Sequence, residues 1–109
     1  MKTPVPAVIE SYFQASNAND IDALVVCFAP DATVTDEKQT HRRTAEIKAW
    51  SIDVRKKYEF RTEVLKAVEK SGVNIVTAKV SGNFPGSPVD LDFKFALVKD
   101  KIASLDIGS

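Results

Sequence analysis

Apolar residues in the first half of the chain recur with helical spacing. Val8, Ile9, Tyr12, Phe13 and Ser16 fall on one helical face. Thr3 followed by Pro4 is a start signal, because a proline early in a helix loses little by lacking an N–H. Together these predict a helix over residues 4–18. Asn17-Ala18-Asn19 interrupts the pattern and Asp20 is a capping residue. Ile21, Leu24, Val25 and Phe28 then define a second helix over 20–28, which Pro30 ends. The next stretch, Asp31-Ala32-Thr33-Val34-Thr35-Asp36, is rich in β-branched residues and reads as a strand over 32–36 with a carboxylate at its end. A polar loop from Glu37 to Arg43 follows. Thr44 as a cap, Glu46 in the first turn and the stripe Ile47, Trp50, Ser51, Val54, Tyr58 predict a third helix over 44–57. Arg55, Lys56 and Lys57 suit its C-terminal end, where the helix dipole favours cations.

After Tyr58 the period changes to two. Phe60, Thr62, Val64 and Val68 alternate with charged residues, predicting a strand over 59–69, and Lys70-Ser71-Gly72 turns the chain. A strand over 73–83 follows, with Val76, Ala78 and Val80 on one face. Phe84-Pro85-Gly86-Ser87 suits a type II turn, since proline presets the first central residue and glycine accepts positive φ at the second. Leu91, Phe93, Phe95 and Leu97 alternate with Asp90, Asp92 and Lys94, and Ile102 to Ile107 makes a last strand. Three helices followed by a meander of long strands is an α+β arrangement. One apolar sheet face must be covered by the helical half, and a strongly curved sheet wrapped around helices leaves a pocket. Tyr12, Phe13, Trp50, Tyr58, Phe93 and Phe95 are the aromatic residues expected to reach that interior.

Composition narrows the function classes. A chain of 109 residues is the length of one domain, and 15 basic against 15 acidic residues gives no electrostatic case for nucleic acid or an anionic membrane. No apolar run is long enough to span a bilayer, and the N-terminus lacks the basic start and hydrophobic middle of a signal peptide, so a cytoplasmic location is expected. The single Cys27 sits on an apolar stripe and reads as a small core residue. His41 is the only histidine; a metal site would have to combine it with Asp36 or Glu37, and a solvent-facing loop position is the simpler reading. Neither a metal nor an organic cofactor is expected.

The run ESYFQASNANDIDALVVCFAPDATVTD, then THRRTAEIKAW, then the closing FALVKDKIASLDI resembles the nuclear transport factor 2-like superfamily, and within it SnoaL-like and ketosteroid isomerase-like proteins. The resemblance covers essentially the whole chain. It implies a cystatin-like roll: a cone-shaped, curved, mainly antiparallel sheet wrapped around three N-terminal helices, with an internal pocket. In ketosteroid isomerases a tyrosine on the first helix and an aspartate ending the equivalent strand are catalytic, and Tyr12 and Asp36 fall on those positions. The resemblance therefore makes Asp36 a general base and Tyr12 a hydrogen-bond donor, with Phe13, Trp50, Tyr58, Phe93 and Phe95 around the ligand. Relatives place a second acid on the strand matching Leu91–Val98; here a phenylalanine stands in its place. The resemblance, with Val73, Ile75 and Val98 left over on the outer face, implies a homodimer through the sheet. Three classes stay open: a cofactor-free isomerase, cyclase or dehydratase, a non-catalytic binder of a small apolar or carbonyl-containing molecule, and a dimeric interaction domain.

Overall fold

Four long strands run antiparallel to one another in sequence order, and a fifth joins the last of them in parallel. The computed structural model describes residues 5–36 and 38–108. The predicted helix start at Thr3-Pro4, and Glu37 of the candidate metal set, lie outside them. Helices α1 (Ala7–Asn17), α2 (Ile21–Val26) and α3 (Arg43–Lys57) cover strands β1 (Phe28–Asp36), β2 (Gln39–Arg42), β3 (Phe60–Lys70), β4 (Val73–Gly82), β5 (Val89–Val98) and β6 (Lys101–Gly108). The sheet order is β2-β1-β6-β5-β4-β3, with β1 parallel to β6 and every other pair antiparallel. This is the expected α+β arrangement, a curved mixed sheet under three helices.

Register determines which side chains meet the helices. Val34 lies beside Leu105 and Asp36 beside Ile107, while Ile107 pairs with Phe93 and Phe93 with Val76. One row of the inner face therefore runs Asp36, Ile107, Phe93, Val76 across four strands. Ile9 of α1 and Ile47 of α3 pack onto this face with no exposure at all. Each such burial contributes about 1.5–3 kcal/mol relative to an exposed side chain.

The first two helices are shorter than the sequence pattern predicts, and the third begins one residue earlier. At its start α1 has Pro6 at the cap position, and its last residue is Asn17. Asp20 caps α2 as expected, its carboxylate accepting the Ala23 N–H at 3.1 Å. That helix stops at Val26, not Phe28, because the chain there is already drawn into the sheet: the Cys27 carbonyl accepts the Ile102 N–H at 2.8 Å and Phe28 pairs with Ile102. Pro30 thus lies inside β1, where the register shifts between Phe28 and Thr33 and its missing N–H breaks no ladder bond. Residues 39–42, predicted as loop, pair with β1 instead, and the Thr35 and Thr40 hydroxyls hydrogen-bond at 3.2 Å. Nor does Thr44 cap α3, which starts at Arg43 with no side-chain cap at its N-cap Arg42. The Glu46 carboxylate reaches back to accept the Arg42 N–H at 2.8 Å.

A bulge corrects the reading of β3. The register shifts between Val64 and Lys66, so Ala67 pairs with buried Val76 while Val68 moves to the opposite face, against Ile75. Val68, predicted to share a face with Phe60 and Val64, is 56% exposed. The turn after β4 is as predicted: Gly86 adopts φ +86° and the Ser87 N–H donates to the Phe84 carbonyl at 3.3 Å.

Candidate functional site

Between the helices and the inner sheet face lies a cavity of about 540 Å³. One face of α3 forms a wall through Trp50, Ser51, Val54 and Arg55, which recur at helical spacing, and the C-cap residue Tyr58 continues it. Tyr12 and Phe13 enter from α1, Asp36 from the end of β1, and Phe93 and Ile107 from the sheet. Asp36 points inward by strand alternation, two residues beyond fully buried Val34. The β4–β5 turn brings Phe84 over the rim, where its ring meets Tyr58 edge-on at 5.9 Å.

Of the residues singled out from the sequence, Asp36, Tyr12, Phe13, Trp50, Tyr58 and Phe93 share this one cavity. Phe95 does not line it. Its ring is fully enclosed, 5.5 Å from Tyr12 and 5.9 Å from Phe13, and supports those two from behind. His41 is not in a solvent loop either: it lies on β2, half-buried, with its ring 6.1 Å from Trp50. Cys27 is buried as expected, its thiol donating to the Ala23 carbonyl at 3.5 Å. Burial raises its pKa, with Lys101 opposing.

The polar groups are few and directed. The Trp50 indole N–H donates to Asp36 Oδ2 at 3.1 Å, which ties the carboxylate to the wall. Tyr12 is 4% exposed, and its hydroxyl makes no hydrogen bond to any described residue. Burial pushes the phenol well above the ordinary tyrosine range, the Asp36 charge and Cys27 add to the shift, and Arg55 opposes it. Tyr12 therefore stays a neutral O–H donor at any physiological pH.

Arg55 is a charged cavity residue that sequence reading missed. It was assigned to the helix end, yet it follows Ser51 by one turn on the wall that lines the cavity. Its Nη1 donates to the Phe60 carbonyl at 2.9 Å and its Nη2 to the Ser16 carbonyl, and the guanidinium lies 4.0 Å over the Phe60 ring. Burial lowers its pKa and Tyr12 raises it again. The signal available in the sequence was the extension of the Trp50–Val54 stripe by i, i+4 spacing through Ser51 to Arg55. Asn17 was also missed. Its amide bonds the Thr62 backbone in both directions at 2.8 Å, closing α1 onto β3 below the cavity.

A family model described as SnoaL-like domain matches residues 9–103. Among solved structures, the chain is similar to a candidate polyketide cyclase of Sinorhizobium meliloti, at 40% identity over 94% of both chains with a TM-score of 0.91. A hypothetical protein of ketosteroid isomerase-like fold from Catenulispora acidiphila, solved with trimethylamine, aligns at 18% identity over 97% of this chain and 87% of its own, TM-score 0.85. An uncharacterized cystatin-fold protein of Novosphingobium aromaticivorans aligns at 14% identity over 94% and 95%, TM-score 0.77. The last two share the fold. No curated protein matches the chain.

Proposed function

Because this chain belongs to the SnoaL-like domain family, we propose that its cavity takes a small, mostly apolar, carbonyl-containing molecule, on which Asp36 acts as general base and Tyr12 as hydrogen-bond donor. The observation that carries this reading is that a carboxylate and a neutral phenol line one largely apolar cavity. In the proposed step a C–H beside the carbonyl breaks, its proton passes to the Asp36 carboxylate, and the electron pair moves onto the carbonyl oxygen. That oxygen, now an enolate, accepts the Tyr12 O–H. Returning the proton to another carbon completes an isomerisation; alternatively the enolate carbon attacks a second carbonyl, whose π electrons move onto its oxygen, and that alkoxide takes the proton back from Asp36 to complete a cyclisation. The Trp50 indole holds Asp36 in place and so orients the base.

A non-catalytic binder is the second reading, and Phe93 is what favours it. It lines the cavity on β5, the strand where relatives with isomerase activity carry a second acid. Exchange of α-protons for deuterium, followed by NMR on small cyclic enones and 1,3-dicarbonyls, separates the two. Asp36→Asn is expected to abolish protein-catalysed exchange while binding persists, and Tyr12→Phe to slow it about a hundredfold. Undiminished exchange in Asp36→Asn would leave only the binding reading.

The reading includes a homodimer formed through the outer sheet face. Leu65, Val68 and Val98 are 43%, 56% and 46% exposed, and Val73 and Ile75 are half-buried on strands whose inner faces meet the helices. Pairing two copies would withdraw these residues from water. Sedimentation at high micromolar protein should give twice the monomer mass; a monomer there refutes the dimer.

A further inference from the structure

Among the described residues, no carboxylate neutralises the guanidinium that Arg55 places on the cavity wall. Two of the five N–H groups of Arg55 are taken by the Phe60 and Ser16 carbonyls, which are neutral acceptors. No described carboxylate lies within ion-pair distance of it, and no other hydrogen bond satisfies it among the described residues. A half-buried cation in such a setting loses hydration without gaining an opposite charge, which costs stability unless something else returns the interaction. The two carbonyl bonds and the Phe60 ring lock the plane of the guanidinium, so its remaining donors are presented in a fixed geometry. Rigid, planar donors beside an apolar cavity are the arrangement that recognises a carboxylate or another delocalised anion.

We propose that Arg55 is an anion-recognising residue of this cavity, and that the molecules it takes are small apolar monoanions whose carboxylate or enolate oxygens meet the guanidinium. The proposal rests on the reading of the cavity as a small-molecule site. Placement along α3 adds a geometric condition. Arg55 follows Trp50, the partner of Asp36, by five residues, about 7.5 Å along the helix axis. The anionic group therefore sits away from Asp36, which would repel it, and an apolar ring system spans the distance between them. Tyr12 lines the same cavity, and its phenol feels both charges. The cavity is dipolar: one end suits a proton-donating carbon and the other an anionic handle.

The test compares 2-naphthoate with its neutral isostere 2-naphthamide by titration calorimetry at neutral pH. The wild-type protein should bind the acid at least about tenfold more tightly, the value of one charge-assisted hydrogen-bonded contact. In Arg55→Gln that preference should vanish while naphthamide affinity stays within about twofold, and Arg55→Lys should keep part of it. Equal affinities in the wild type, or a preference that survives Arg55→Gln, overturn the role of Arg55 but not the cavity as a binding site. A preference lost in Lys57→Gln and kept in Arg55→Gln overturns it too, by moving the recognition to the exposed rim. Absence of binding by either probe at millimolar concentration overturns both readings. If Arg55→Gln fails to fold, the wild-type comparison and Arg55→Lys still decide.

Discussion

The indole N–H of Trp50 reaches Oδ2 of Asp36 across 3.1 Å, joining the middle of α3 to the last residue of β1. Two residues separated by fourteen positions thus hold one corner of the cavity together. Inside a mostly apolar pocket this bond fixes the direction of the carboxylate as well as its distance from the wall. A double-mutant cycle of Trp50→Phe and Asp36→Ala should return a coupling energy of about 1 kcal/mol in urea unfolding. Strictly additive effects would mean that the bond contributes nothing in solution.

The phenol of Tyr12 makes stability depend on pH at the alkaline end. Its pKa is raised, by burial first and then by the charge of Asp36, so the folded protein holds this proton more tightly than the unfolded chain does. The resulting stabilisation is fully present below the unfolded tyrosine value of about 10 and is lost as pH rises from there toward the folded value. Wild-type stability should therefore fall more steeply above about pH 10 than that of Tyr12→Phe. Cys27 is shifted in the same direction, so the comparison is best made on a Cys27→Ala background. Parallel alkaline slopes in the two proteins would contradict the burial of the hydroxyl.

Asn17 closes the end of α1 onto β3 through two bonds to the Thr62 backbone, each 2.8 Å long. Alanine there would strand one N–H and one carbonyl in a part-buried position. The expected loss is about 2 kcal/mol, read as a lower urea midpoint with an unchanged slope. A loss below a few tenths of that figure would show that water replaces the amide without cost.

At Gly82 the constraint is steric. A Cβ built there would come within 2.1 Å of the Glu59 carbonyl oxygen and 2.9 Å of the Phe60 Cα, and neither backbone atom can swing aside. Gly82→Ala should destabilise the protein by about 1–3 kcal/mol as β3 is pushed away. Because Phe60 carries the Arg55 guanidinium over its ring, the same substitution should weaken binding of 2-naphthoate more than that of 2-naphthamide. Wild-type stability in Gly82→Ala would rule out the close approach.

Periodicity and residue type were enough to read the order of the three helices and of every strand but β2, because the 3.6 and 2.0 repeats are imposed by which face meets the core. Val8, Ile9, Tyr12 and Phe13 on α1, and Leu91, Phe93 and Phe95 on β5, announce their inward faces regardless of what they pack against. Turn chemistry was equally local: proline and glycine at Pro85 and Gly86 specify the type II turn without help from the rest of the molecule. The convergence of Tyr12 and Asp36 was legible only through family resemblance, since nothing in their spacing brings a helix and a strand end together.

Tertiary structure decided the remainder, and in each case through a contact distant in sequence. The Ile102 N–H bond to the Cys27 carbonyl and the pairing of Phe28 with Ile102 draw Phe28 out of the predicted helix and into β1. Pairing with β1 makes a strand of residues 39–42, whose composition reads as loop. One bulge beside Leu65 reverses the inner and outer faces for the rest of β3, which no alternation rule can foresee because it inserts a residue without changing the pattern. Arg55 belongs to the cavity because the Ser16 and Phe60 carbonyls hold its side chain there, and Phe95 is withdrawn from it because Tyr12 and Phe13 lie in front. Sequence periodicity reports which face of an element is buried; what a buried side chain touches depends on the neighbour that arrives from elsewhere in the chain.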